Sequence, residues 1–309
     1  MCVQVAVDYY AEVGYESKSL VRLGTNGCGE DCKIAASRTR SLIIPREHGA
    51  WGILLVPLVT GATAGLLHGG SIPNLVPLCV VAVALFWLRT PIESWLGGTP
   101  VRARTPEELR LVRKAVLALS SVSAAGLVGL FWGGRNRGLI GIGSAAGAAF
   151  LIQVGVRSIW RSGRTAAQMV GAAGLTSTAP AAYSAVTGHL DAAAWSLWGA
   201  NLLFAMNQIH FVQLRIGAAR AANRHEKLAA GRGFLAGQLL LIAAVTEACL
   251  HHLFPWTAAA AFVPVLARGF GWFITPPKPL AIHALGKSEL FYACLFGVLV
   301  VAGTALGFV

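Results

Sequence analysis

Residues 290–308 read LFYACLFGVLVVAGTALGF, nineteen positions without a charged side chain. A helix rising 1.5 Å per residue crosses the roughly 30 Å hydrocarbon core of a bilayer in about that length. The run does not alternate polar with apolar residues, so it does not read as a barrel strand. Only helices and closed barrels satisfy their own backbone polar groups in lipid. Similar stretches recur along the chain, and reading outward from this one gives nine: 49–68, 72–88, 111–132, 138–156, 166–187, 192–213, 233–253, 256–274 and 289–308. Whole-chain composition agrees. Of 309 residues 55% are hydrophobic and 12% charged, and mean hydropathy is +0.63. A soluble domain carries about 25% charged residues, so the soluble classes are excluded. The expected fold is an all-α integral membrane protein with nine transmembrane helices over 43–309.

The net charge of +12 would suit a nucleic-acid binder, and the placement of the charges decides against that. With nine spans, 23 of the 25 lysines and arginines fall on one side, and only Arg135 and Arg137 on the other. Cationic residues collect on the cytoplasmic face of membrane proteins. The N-terminus is therefore expected inside, in the cytoplasmic (inner) membrane of a bacterium, with no nucleic acid partner. Residues 1–42 are polar and hold five of the thirteen acidic residues, Asp8, Glu12, Glu16, Glu30 and Asp31. They read as a disordered cytoplasmic extension. Cys28 and Cys32 lie there as a C-x3-C pair without a second pair, and Cys79, Cys249 and Cys294 fall in apolar runs, where free cysteine packs as a small hydrophobe.

Two inner connections stand out by length, 89–110 and 214–232, and polar residues gather beside them. The first span opens with Pro45-Arg46-Glu47-His48-Gly49-Ala50-Trp51-Gly52. Proline in a first turn and an interfacial tryptophan are ordinary, but they do not explain Arg46, Glu47 and His48 in sequence before two glycines. The second span ends with Arg89-Thr90-Pro91-Ile92-Glu93, where Pro91 is expected to end or kink the helix and Arg89 and Glu93 are spaced to pair. The sixth ends with Asn207-Gln208-Ile209-His210, then Gln213 and Arg215. Amides and an imidazole this deep are costly unless paired or facing a cavity. Asn207, His210 and Gln213 recur at i, i+3 and are expected to share a face. Arg89, Arg157, Arg215 and Arg268 each end a span on the inner side, forming a cationic rim that Lys287 and Glu289 could join; the bland reading is dipole complementation plus topology. Arg224-His225-Glu226-Lys227 reads as a solvated stretch.

The PREHGAWG opening, the R-T-P-x-E and the N-Q-I-H-F-x-x-x-R resemble the YwiC-like family of bacterial membrane proteins. The nine-span layout, with long inner links after the second and sixth spans, also resembles the UbiA superfamily of intramembrane prenyltransferases. The latter resemblance implies an inward-facing cavity and two aspartate-rich motifs holding Mg2+ on a prenyl diphosphate. Here no aspartate occurs between Asp31 and Asp191, so those motifs are missing, and Mg2+ is not supported.

The expected ligand is therefore a membrane lipid or prenyl-type molecule with an anionic head. Arg46, Arg89 and Arg215 would fork onto that head, Glu93, Asn207 and Gln213 would position, and Glu47, His48 and His210 would be acid/base groups. Three readings stay open: a divergent prenyltransferase, a non-enzymatic transporter or lipid-binding protein using the same cavity, and a single transition-metal site built from Glu47, His48, Glu93 and His210. Oligomeric state is not legible.

Overall fold

The computed structural model describes residues 41–44, 48–96, 102–132, 137–159, 164–219, 223–276 and 280–307; the side chains of 48–49, 137, 157–159 and 164 are excluded. The expected extension 1–42 lies almost wholly outside these residues, as do Arg46, Glu47 and the side chain of His48. Every regular element among the described residues is helical. The helices are α1 (His48–Leu67), α2 (Leu75–Leu96), α3 (Pro106–Trp132), α4 (Arg137–Ile159), α5 (Arg164–Thr176), α6 (Thr178–Thr187), α7 (Ala192–Gly217), α8 (Arg224–Leu250), α9 (Trp256–Ala259), α10 (Val263–Ile274) and α11 (Ile282–Gly307).

Seven of these stretches are long and apolar enough to cross a membrane: α1, α2, α3, α4, α8, the run from α9 through α10, and α11. This is a multi-pass membrane architecture. The fifth expected span, 166–187, is broken. Thr176, Ser177 and Thr178 each turn a hydroxyl back onto a carbonyl, of Ala172, Gly174 and Leu175. Pro180 lacks the N–H that would bond Thr176 O. The sixth, 192–213, is one helix of 26 residues, but Asn201, Asn207, Gln208, His210, Gln213 and Arg215 make it more polar than the seven. In the eighth, a short 3-10 turn at Ala260–Phe262 precedes α10, where Pro264 cannot donate to Ala260 O.

The helices overrun the expected spans at the two long connections, which shrink to 97–105 and 218–223. Both extensions carry their own caps. Thr105 Oγ1 accepts from the Glu108 N–H while Glu108 Oε2 accepts from the Thr105 N–H, with Pro106 in the first turn. Asn223 Oδ1 accepts from the Glu226 N–H, and its Nδ2 donates to Glu226 Oε1. Pro91 does not end α2, which runs on to Leu96. The expected end there is corrected: proline is tolerated inside a membrane-spanning helix, and the bond from Arg89 Nε to Glu93 Oε1, 2.8 Å, runs across it.

The chain divides into two compact units. One holds residues 76–132 with the 41–44 segment. In it Leu42, Ala103 and Val112 form a small core, Trp87 Nε1 donates to Ile43 O, and Gly126 lets α3 approach Val81 and Pro77 of α2. The other holds 48–75 and the chain from 133 onward. Its centre is α1, 61% of whose span is buried against 11% for α4. Helix α1 packs backbone-to-backbone on α6: a Cβ on Gly61 would sit on the Ala179 carbonyl, and one on Gly65 would meet Val186 at 3.0 Å. Small residues at such a crossing are the usual device for close approach in lipid. Phe204 of α7 stacks on Phe296 of α11, centroids 4.1 Å apart, and Phe262 closes on Phe296 edge-on at 5.2 Å.

Candidate functional site

Helix α7 places polar groups on several faces. Asn201, Gln208 and Arg215 recur every seven residues, a spacing that drifts only about 20° per step, so they form one row. Asn201 Nδ2 donates to Thr60 Oγ1 of α1 at 3.1 Å and to Leu197 O. Gln208 Nε2 donates to the backbone carbonyl of Glu289 on α11, 2.8 Å. His210 instead lies against α8, where a Cβ on Gly237 would touch its Nδ1 at 3.1 Å, and meets the Phe234 ring edge-on. Gln213 Nε2 donates to Gln168 Oε1 of α5, 2.9 Å. Asn207 is buried, and its Oδ1 has no hydrogen-bond partner among the described residues. Thus His210 and Gln213 serve different neighbours, and the row that reaches α11 is the one containing Gln208 and Arg215.

At the C-terminal end of that row sits a buried ion pair. Arg268 of α10 is 9% exposed and Glu289 of α11 3%, with Arg268 Nη1 donating to Glu289 Oε1 at 2.6 Å. The guanidinium lies between two rings, 4.1 Å from the Phe211 centroid and 4.4 Å from that of Tyr292. Arg268 Nε and Nη2 and Glu289 Oε2 are buried without a hydrogen-bond partner among the described residues. Arg215 lies within electrostatic reach of both charges and makes no hydrogen bond or ion pair with a described residue. The cluster therefore holds two guanidiniums against one carboxylate, in surroundings where an uncompensated charge costs several kcal/mol. On the neighbouring face, Gln238 of α8 is fully buried, with neither amide atom bonded to a described residue, and packs against Gly269.

Lys227 corrects the expectation of a solvated stretch. It is 3% exposed, and its Nζ donates to Trp272 O and Thr275 O at 2.6 Å each while lying 4.3 Å from the Trp272 centroid. It fixes the C-terminal end of α10, one turn beyond Arg268, where a cation also complements the helix dipole. Lys227→Met should strand those carbonyls and lower stability by about 1–3 kcal/mol, read as a lower melting temperature in detergent; an unchanged melt would contradict this bond.

Of the residues picked from sequence, Arg215 joins the cluster, together with Arg268 and Glu289 of the expected rim. Arg89 and Glu93 pair with each other in the other unit. Gln208 lay in the candidate stretch but was given no role of its own, and Asn201 and Gln238 were missed; the seven-residue spacing of 201, 208 and 215 was the available signal. The donors present do not fit a two-Mg2+ diphosphate site. Glu289 engages Arg268, Glu93 engages Arg89 and Glu226 engages Asn223. Among the described residues no three His, Cys, Asp or Glu converge; Glu47 and the His48 side chain, expected beside His210, lie outside the described residues.

The other end of α7 starts on Asp191, whose Oδ1 accepts from the Ala194 N–H and whose Oδ2 accepts from Tyr183 Oη at 2.9 Å. Burial pushes this carboxyl up, but those two bonds and nearby His189 outweigh it and hold it below the usual carboxylate range. A cavity of about 320 Å3 lies there, lined among others by His68, Ser196, Leu197, His252, Trp256 and Thr304. His252 adopts φ 54° just past the end of α8, where glycine is the default. Ser196 and Arg215 are about 28 Å apart along the helix.

No curated protein and no solved structure matches the chain. Residues 44–183, from the PREHGAWG opening through R-T-P-x-E to the middle of α6, match the model of the family described as YwiC-like protein, while α7 to α11, with the arginine cluster, lie beyond the match.

Proposed function

We propose that this is a bacterial inner-membrane protein of nine spans, the seven above together with α5–α6 and α7, with its N-terminus inside. In it, Arg215 and Arg268 receive the anionic head of a lipid-like or prenyl ligand from the cytoplasmic side. The nine-span topology is supported by the sorting of lysines and arginines and is UbiA-like in its count and order. The observation that carries the ligand reading is Arg268: a buried guanidinium, held between two rings, with two N–H edges not engaged and a second guanidinium beside it. Guanidinium forks suit phosphate and carboxylate heads. The aspartate pairs of a UbiA-type transferase are missing, so the reading rests on binding and includes no bond-making step.

The test is binding of geranyl diphosphate, with geraniol as control, to purified protein in detergent. Arg215→Gln is the informative variant, because Arg215 bonds to no described residue and its loss should leave the melt unchanged. Affinity for the diphosphate should fall at least tenfold, about 1.4 kcal/mol, and geraniol should bind weakly throughout. Equal affinities in both proteins would remove this reading. The second reading, transport of the same ligand, is favoured by the cavity at the far end of α7. It requires counterflow of the labelled anion in vesicles with no covalent product.

A further inference from the structure

The charges in the arginine cluster do not balance, and this limits how it can take a ligand. Arg215, Arg268 and Lys227, which lies within electrostatic reach of Arg215, carry three positive charges and Glu289 one negative charge, so two positive charges are in excess. Among the described residues, the groups around Glu289 add no second negative charge. Helix α10 contributes Arg268 and α7 contributes Arg215 and the Gln208 amide, which is held on the Glu289 backbone carbonyl. Where α1 meets α11, Gly52 faces Ala293 and Leu290, and Val56 and Thr60 face Gly297, none of them charged; the His48 side chain lies outside the described residues. On α8, Lys227 donates to two neutral carbonyls, which leave its positive charge in place. Up to two negative charges on a ligand are matched by this excess through Arg215 and Lys227. A third, as on a fully ionised diphosphate, has nothing further to meet among the described residues except Arg268, whose Nη1 is already on Glu289 Oε1.

Resting on the anion-binding reading above, we propose that a proton is the second ligand of this site: Glu289 takes it up when a multiply charged head binds, and the head replaces the carboxylate as the partner of Arg268. The exchange balances. One solvent proton forms an O–H bond on the Glu289 carboxylate, Arg268 transfers its pairing from that carboxylate to the incoming oxyanion, and no other bond forms or breaks. The buried, unpartnered Glu289 Oε2 is the atom placed to carry the proton. Two carboxylate-like charges sharing one guanidinium in a site this dry would leave one of them uncompensated, which is the condition that drives protonation of a buried acid.

The discriminating pair of ligands is geranyl diphosphate and geranyl sulfate, at about pH 8, where phosphate groups with a second pKa near 6 are already ionised. Calorimetry in two buffers of different ionisation enthalpy reads protons exchanged per ligand bound. The diphosphate should take up about one proton, and the monoanionic sulfate none. Glu289→Gln keeps an acceptor for Arg268 and the backbone carbonyl for Gln208, so it should bind the diphosphate with no proton uptake. Zero uptake for the diphosphate in the native protein would overturn the proposal, as would equal uptake for both ligands or undiminished uptake in Glu289→Gln. If the variant does not fold, the two ligands on the native protein decide alone. Failure of the underlying reading looks different: neither ligand binds, or binding ignores Arg215→Gln.

Discussion

Gly61→Leu is expected to prevent the chain from reaching its folded state. A Cβ at this position would occupy the space of the Ala179 carbonyl and its neighbouring backbone atoms. Overpacking against side chains typically costs 1–3 kcal/mol because rotamers can shift. A helix carbonyl cannot move aside without parting α1 from α6, so the loss should exceed about 3 kcal/mol. The expected result is aggregation on size exclusion, or a melt lowered far more than for any lipid-facing substitution. Gly143 of α4 is the control, since nothing lies within 4 Å of a Cβ there; Gly143→Ala should be neutral or gain up to about 1 kcal/mol of helix propensity. A Gly61→Leu protein melting beside the native one would show that α1 and α6 do not cross where the fold has them.

The second large effect concerns the ion pair between α10 and α11. Arg268→Met leaves the Glu289 carboxylate, 3% exposed, without its hydrogen-bonded partner. Removing one member of a buried pair costs about 3–5 kcal/mol. Glu289→Leu should cost a similar amount, because Arg268 is then held between Phe211 and Tyr292 with no counter-ion. The double variant, Arg268→Met with Glu289→Leu, removes both charges together and fills the space with apolar atoms. It should recover all but about 1 kcal/mol, since apolar replacement of a whole buried pair is often neutral. Its diphosphate binding should nonetheless be lost. A double variant as unstable as the singles, measured by chemical denaturation in detergent, would mean the pair is not the coupled unit described here.

Much of the architecture follows from the sequence alone. The apolar runs fix which stretches are helical and lipid-compatible, because a backbone in hydrocarbon has no other way to satisfy its polar groups. The cap signatures Thr105-Pro106-Glu107-Glu108 and Asn223-x-x-Glu226 were also readable, and they explain why the long inner links turn out to be mostly helix. The hydroxyls at 176–178 and Pro180 mark the break between α5 and α6, which the apolar run 166–187, read as one span, concealed.

Which polar residues meet was decided only by the tertiary structure. Asn207, His210 and Gln213 recur at helical spacing, yet α7 is surrounded by neighbours, so a turn of the helix hands each residue to a different one: His210 to α8 and Gln213 to α5. Arg268 and Glu289 lie 21 positions apart on separate helices, and no periodicity within one helix can pair them. The burial of Lys227 likewise depends on where α10 ends against α8. Sequence sets the local period and the solvent each segment tolerates; the rotation of one helix about its axis relative to the next is fixed by side-chain packing between them, and that rotation selects the charges that come together.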